Sequence, residues 1–242
     1  WPGSLSGEPL PEEYSHLHDA FVVLAMAAAV TTTLRLGASV LLPAQRDAIW
    51  TSKQISSLDF LSKGRLEIGV GVGWNREELA SHGTAFPERW QRTRETVEAM
   101  RELWANEVGS YSGDFVKIAP TWQWPKPAQP SGPPIHLGGG TGPRLLGEVA
   151  QWADGWLPIS ARPSLASRLV LLREACERAG RDYNTMKISV FGANTTADGL
   201  SNLFEEGITR AVLTLPPAKR DVVLPLLDEW AATKDQVLAR VG

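Results

Sequence analysis

Two glycine-rich stretches hold the residues whose types and spacing could do chemistry. The first is Gly138-Gly139-Gly140-Thr141-Gly142, directly before Pro143. Bare backbone N–H groups at the start of a helix form an anion site, and proline suits the first helical position. A phosphate fits such a turn; the same glycines also make an ordinary strand-to-helix turn. The second stretch is LEIGVGVGWNREE, residues 66–78, with glycine at 69, 71 and 73 and then Trp74 and Asn75. Alternate residues of a strand share a face. Leu66, Ile68, Val70 and Val72 form one face, and Glu67, Gly69, Gly71 and Gly73 the other. Leu34, Leu36, Ala38 and Val40 against Arg35, Gly37 and Ser39 repeat the pattern one strand earlier. Small residues on two adjacent strands leave room for a flat ligand. Equally, they accommodate large residues from neighbouring strands.

Neither stretch is a dinucleotide fingerprint, because Trp74 and Pro143 stand where G-x-G-x-x-G needs its last glycine. No Walker A sequence occurs. The four histidines, His16, His18, His82 and His136, and the single cysteine show no metal-ligand spacing. Cys176 shares a helical stripe with Leu165, Leu169, Leu172 and Ala179, so it reads as core.

Composition narrows the class. The 242 residues are 43% hydrophobic and 21% charged with a net charge of −3, which points to a globular chain without nucleic-acid or anionic-membrane partners. The longest apolar run, Ala20 to Val30, is shorter than the roughly 20 residues that span a bilayer. One cysteine forbids an intrachain disulfide and fits a reducing, cytoplasmic compartment.

The elements that must position the glycines alternate strictly. A helix over 21–30 precedes a strand over 34–42. A helix over 45–61 follows, and Gly64 ends it. A strand over 66–72 is followed by a helical stretch opened by Asn75 and an amphipathic helix over 87–104. Residues 107–131, rich in proline, glycine and aromatics, read as an irregular excursion with a hairpin across 110–118. Strands over 134–137, 155–159, 187–193 and 210–215 alternate with helices over 143–152, 164–179, 198–206 and 218–238. The first 19 residues read as loop. Six strands, each followed by helix, predict a parallel sheet, either doubly wound or a (β/α)₈ barrel. In both, the site lies at the carboxyl ends of the strands.

Residues 31–79, TTTLRLGASVLLPAQRDAIWTSKQISSLDFLSKGRLEIGVGVGWNREEL, and 133–160, PPIHLGGGTGPRLLGEVAQWADGWLPIS, resemble the bacterial luciferase-like flavin and deazaflavin oxidoreductases, most closely those dependent on coenzyme F420. The resemblance runs from about Pro11 to Pro216. It implies one α/β domain over 1–242, a (β/α)₈ TIM barrel with an insertion at about 107–131. The strands seen would be the third to eighth, so a first strand, a helix and a second strand should precede Trp1.

The same resemblance implies the site. Ser39-Val40 matches a bulge with a non-prolyl cis peptide that backs the deazaflavin ring. Simple alternation would point Val40 at the helices; a bulge would turn it toward the ring. Gly71, Gly73 and Asn75 match the ring and ribityl contacts, and Gly138, Gly139 and Gly140 the phosphate turn, with a hydroxyl from Thr141. Trp74 could wall the substrate pocket. The implied reaction is hydride transfer between C5 of F420 and a small organic substrate. An FMN-dependent two-component monooxygenase and a non-catalytic flavin-binding barrel are the alternatives. The resemblance puts the general acid or base on the second strand, which should precede Trp1; Glu77 and His82 read as solvated helix residues. A homodimer is the expected assembly, and the 111–124 segment could lid the site or pack at its contact.

Overall fold

The computed structural model describes residues 9, 10, 12–160 and 165–241. Contacts divide the chain into two compact units, residues 1–135 and 136–242.

The first unit opens with a 3-10 turn over Glu12–His16, where loop was expected. Helix α1 (Ala20–Val30) is capped by Asp19, whose carboxylate accepts from the Phe21 and Val22 amides. Strand β1 (Leu36–Leu41) leads through a 3-10 turn (Pro43–Gln45) to α2 (Ala48–Leu61). The helix expected from 45 therefore starts three residues later, where the Asp47 side chain accepts from the Trp50 amide. Strand β2 (Leu66–Val70) is buried throughout and stops short of Val72. Then come α3 (Arg76–Ser81), a 3-10 turn (Phe86–Glu88) and α4 (Arg89–Ala105). Val97, Met100 and Leu103 of α4 and Ile55 and Leu58 of α2 are buried.

β1 and β2 are parallel. Leu36, Gly37 and Ala38 pair with Leu66, Glu67 and Ile68, after which Leu41 pairs with Val70, so β1 carries one extra residue. The Arg35 Nε donates to Glu67 Oε1 at 2.6 Å, which neutralises a carboxylate buried in the strand.

The excursion holds an antiparallel hairpin of β3 (Val108–Ser112) and β4 (Lys117–Trp122), longer than the sequence indicated. Polar contacts fasten its return to α2. The Gln129 amide and side chain both donate to the buried Asp59 carboxylate, at 3.0 and 2.8 Å, and Gln123 donates to Ser56 Oγ. Lys53 donates to the Trp124 carbonyl.

Strand β5 (Ile135–Gly139) begins at the junction. The second unit continues with α5 (Pro143–Trp152), β6 (Gly155–Pro158), α6 (Leu165–Arg178), β7 (Lys187–Phe191), α7 (Ala197–Glu205), β8 (Arg210–Val212) and α8 (Arg220–Val241). β5, β6, β7 and β8 pair in that order, all parallel. Strand–helix alternation with parallel pairing makes this an α/β fold. Cys176 lies fully buried on α6, where burial pushes its thiol pKa up, consistent with a packing role.

Candidate functional site

At the end of β1 the Ser39-Val40 peptide is cis, and the bulge falls between Ala38 and Leu41. Its effect is visible in burial. Leu36 is 4% exposed and Leu41 7%, while Val40, which alternation would place on the face of Leu36, is 40% exposed.

Gly71, just beyond β2, answers to this bulge. A Cβ on Gly71 would stand 2.8 Å from Val40 Cγ2 and 3.2 Å from Leu42 Cδ2. The Gly71 amide also donates to the Leu41 carbonyl at 2.8 Å. Gly71 thus makes room for large neighbours, the second of the two readings its spacing left open. Gly37 does the same for backbone: a Cβ there would meet the Glu67 carbonyl oxygen at 2.9 Å. Gly73 lies beyond the strand at φ +79°, a left-handed conformation, over Leu79.

After Gly73 the chain turns into α3. Trp74 is 40% exposed. Asn75 is buried, and its side-chain carbonyl accepts from the Glu78 amide at 3.1 Å, so the residue caps α3. Beside it lies a cluster that sequence reasoning missed. The Cζ atoms of Arg76 and Arg89 lie 3.8 and 3.6 Å from the centroid of the Phe86 ring. At such heights two guanidiniums cannot share one face of a ring, so they take opposite faces. Each stack contributes about 0.5–1 kcal/mol at an exposed site. Arg89 is further engaged with the Gly73 carbonyl at 3.2 Å and the Phe86 carbonyl at 2.6 Å. Glu77 and His82 are exposed, as expected.

In the second unit, β5 runs into the glycine turn. Gly142 takes the N-cap position of α5 and Pro143 its first position. Gly139 has φ +142°, and a Cβ on it would stand 2.8 Å from Leu145 Cδ1. Nothing lies within 4 Å of where a Cβ on Gly140 or Gly142 would be. The turn therefore offers open backbone at the head of a ten-residue helix with no acidic residue in its first turn. Arg168 brings a cation here by donating to the Thr141 carbonyl at 3.3 Å. These features fit a phosphate. The first unit thus holds Ser39, Val40, Gly71, Gly73, Trp74 and Asn75, and the second Gly138, Gly139, Gly140 and Thr141.

Among the described residues, no group of three or more His, Cys, Asp or Glu could hold a metal ion, and no helix is long and apolar enough to cross a membrane.

Comparisons with known proteins show the family and the fold. An uncharacterized protein of Mycobacterium tuberculosis (strain ATCC 25618 / H37Rv) is 37% identical over 224 residues, covering 92% of this chain and 79% of the relative. An F420-dependent glucose-6-phosphate dehydrogenase of Kineococcus radiotolerans is 32% identical over 173 residues, 69% of this chain and 50% of the dehydrogenase. Among solved structures, the coenzyme F420 dependent tetrahydromethanopterin reductase of Methanopyrus kandleri superposes with a TM-score of 0.65 at 24% identity, over 76% of this chain and 58% of the reductase. The monooxygenase RslO1 of Streptomyces bottropensis gives 0.65 at 24% identity, over 91% of this chain and 70% of its own. The sequence profile of the luciferase-like monooxygenases matches residues 5–208. The chain belongs to the luciferase-like monooxygenase family, whose members are flavin- or deazaflavin-dependent oxidoreductases and monooxygenases.

Proposed function

We propose that this protein is an F420-dependent oxidoreductase that moves a hydride between C5 of the deazaflavin and a small organic substrate. The observation that carries this reading is the bulged end of β1, which turns Val40 out of the alternation and leaves it 40% exposed. The F420-dependent dehydrogenase of Kineococcus radiotolerans, 32% identical to this chain, favours F420 as the cofactor. In this reading residues 1–242 belong to one (β/α)₈ barrel domain and hold its third to eighth strands, with the 107–131 segment as its insertion.

The residues divide the work. Ser39 and Val40 back one face of the ring, keep water from it and fix its orientation. Gly71 lets Val40 reach that position, and Gly73 and Asn75 shape the path of the ribityl chain. The amides of Gly138, Gly139 and Gly140, with the Thr141 hydroxyl, bind the phosphate. Trp74 walls the substrate side. The bound cofactor would supply the hydride donor or acceptor.

A second reading, an FMN-dependent monooxygenase, draws support from the fold likeness to the Streptomyces bottropensis monooxygenase. Fluorescence titration with F420 and with FMN separates the two. Tight F420 binding with weak FMN binding is expected; the reverse overturns the F420 assignment. A homodimer is the proposed assembly. Support comes from α1, whose Val22, Met26 and Val30 are 59%, 68% and 83% exposed, an apolar surface suited to an interface. Light scattering on the purified protein reads the mass.

A further inference from the structure

Arg76 is a cation at an unexpected address. It is the first residue of α3, where the positive end of the helix dipole disfavours it, although Glu77 and Glu78 follow in the same turn. Its contact is the Phe86 ring, and among the described residues it makes no ion pair and no side-chain hydrogen bond. Its neighbour across the ring differs: Arg89 is engaged by the Gly73 and Phe86 carbonyls and so anchors Phe86 in place. A long, exposed side chain normally samples many rotamers. Here the stack orders it while its planar fork of N–H donors stays available, the geometry that suits a carboxylate or phosphate. Two residues earlier, Trp74 presents an apolar surface that is 40% exposed.

We infer that Arg76 is a specificity-determining residue that binds an anionic group of the substrate, so that the substrate is a small organic carboxylate or phosphate ester with an apolar body lying against Trp74. This rests on the proposed cofactor reading, which makes the carboxyl end of β2 the reacting side. Phe86 and Arg89 hold the guanidinium; Arg76 itself touches the substrate.

The test uses two anionic probes, benzoate and phenyl phosphate, against their neutral counterparts benzamide and benzyl alcohol. Binding is followed by tryptophan fluorescence on the F420-loaded protein and repeated on the unloaded protein. Tighter binding of the anions than of the neutral probes, by about tenfold, is expected in the native protein. Arg76→Gln should remove that preference and leave the neutral probes and F420 bound as before, while Arg76→Lys should keep part of it. Equal binding of the four probes, no measurable binding of the anions, or an unchanged preference in Arg76→Gln would each overturn the inference. Weakened F420 binding in Arg76→Gln, with the uncharged deazaflavin riboside unaffected, would assign Arg76 to the cofactor's anionic groups and also overturn it. Failure of the native protein to bind F420 would instead count against the cofactor reading, since the probe preference is read on the unloaded protein as well.

Discussion

Gly71 and Val40 are made for each other: a Cβ on Gly71 would stand 2.8 Å from Val40 Cγ2. That approach is closer than real Cβ atoms tolerate. The glycine in β2's extension is therefore a consequence of the bulge in β1, one strand away.

Gly71→Ala should overpack this contact, at a cost of about 1–3 kcal/mol in denaturant unfolding. Val40 moves to relieve the clash, so F420 affinity should fall by about tenfold in fluorescence titration. Unchanged affinity in a folded variant would separate Val40 from the cofactor.

Gly140 gives the cleaner test of the phosphate turn. Gly139→Asp would strain a backbone at φ +142° and crowd Leu145, so its failure could be structural. At Gly140 an added side chain meets open space. Gly140→Asp should therefore fold normally and reduce binding of a phosphate-bearing cofactor by about a hundredfold or more, because like charges about 4 Å apart repel by up to about 4 kcal/mol near a protein surface. Gly140→Ala should bind almost as the native protein does. Equal affinity in all three would refute the phosphate assignment.

The hairpin turn hangs on one carboxylate. Glu95 of α4, 5% exposed, accepts from the amides of Phe115, Val116 and Asp114 at 2.8, 3.0 and 3.2 Å and from Gln91 Nε2 at 2.9 Å. Burial alone would raise its pKa, but these donors together hold it below the ordinary value of 4.5. A depressed carboxylate stabilises the fold above its unfolded pKa, and that contribution is lost as pH falls through the folded one. Stability should therefore drop below about pH 4.5, and Glu95→Ala should flatten this part of the profile. The substitution itself should cost about 1–3 kcal/mol, since it strands the part-buried N–H groups of the hairpin turn. Thermal unfolding across pH 3–6 provides the measurement.

Asp59 plays the same part at the excursion's return. It is fully buried and accepts from the backbone amide and from the side-chain amide of Gln129. Asp59→Ala should destabilise the protein by about 1–3 kcal/mol and speed amide exchange over residues 123–130, while exchange in α5 and β6 stays unchanged. Equal acceleration in both regions would show that Asp59 supports the whole fold.

Much of this was legible in the chain. Gly142 and Pro143 bracket the head of α5 because cap and first-turn preferences are local, and alternating strand and helix periods announced a parallel sheet. The bulge at Ser39-Val40 follows only from the resemblance; alternation alone points Val40 at the helices. The Arg76–Phe86–Arg89 stack left no signal, since its partners are 10 and 3 residues apart along an irregular turn. Glu95 was equally silent, because its donors lie about 20 residues away in the hairpin.

The sequence by itself determined the α/β class, the order of elements, the glycine turn before α5 and the core position of Cys176, because each depends on neighbours within a few residues. Tertiary structure decided what the glycines of residues 66–78 are for. Their spacing permits an open face or a close approach, and only the distance between strands chooses. For Gly71 it chose close approach to Val40, and Gly73 serves the turn into α3. A single chain read in order contains no such distance.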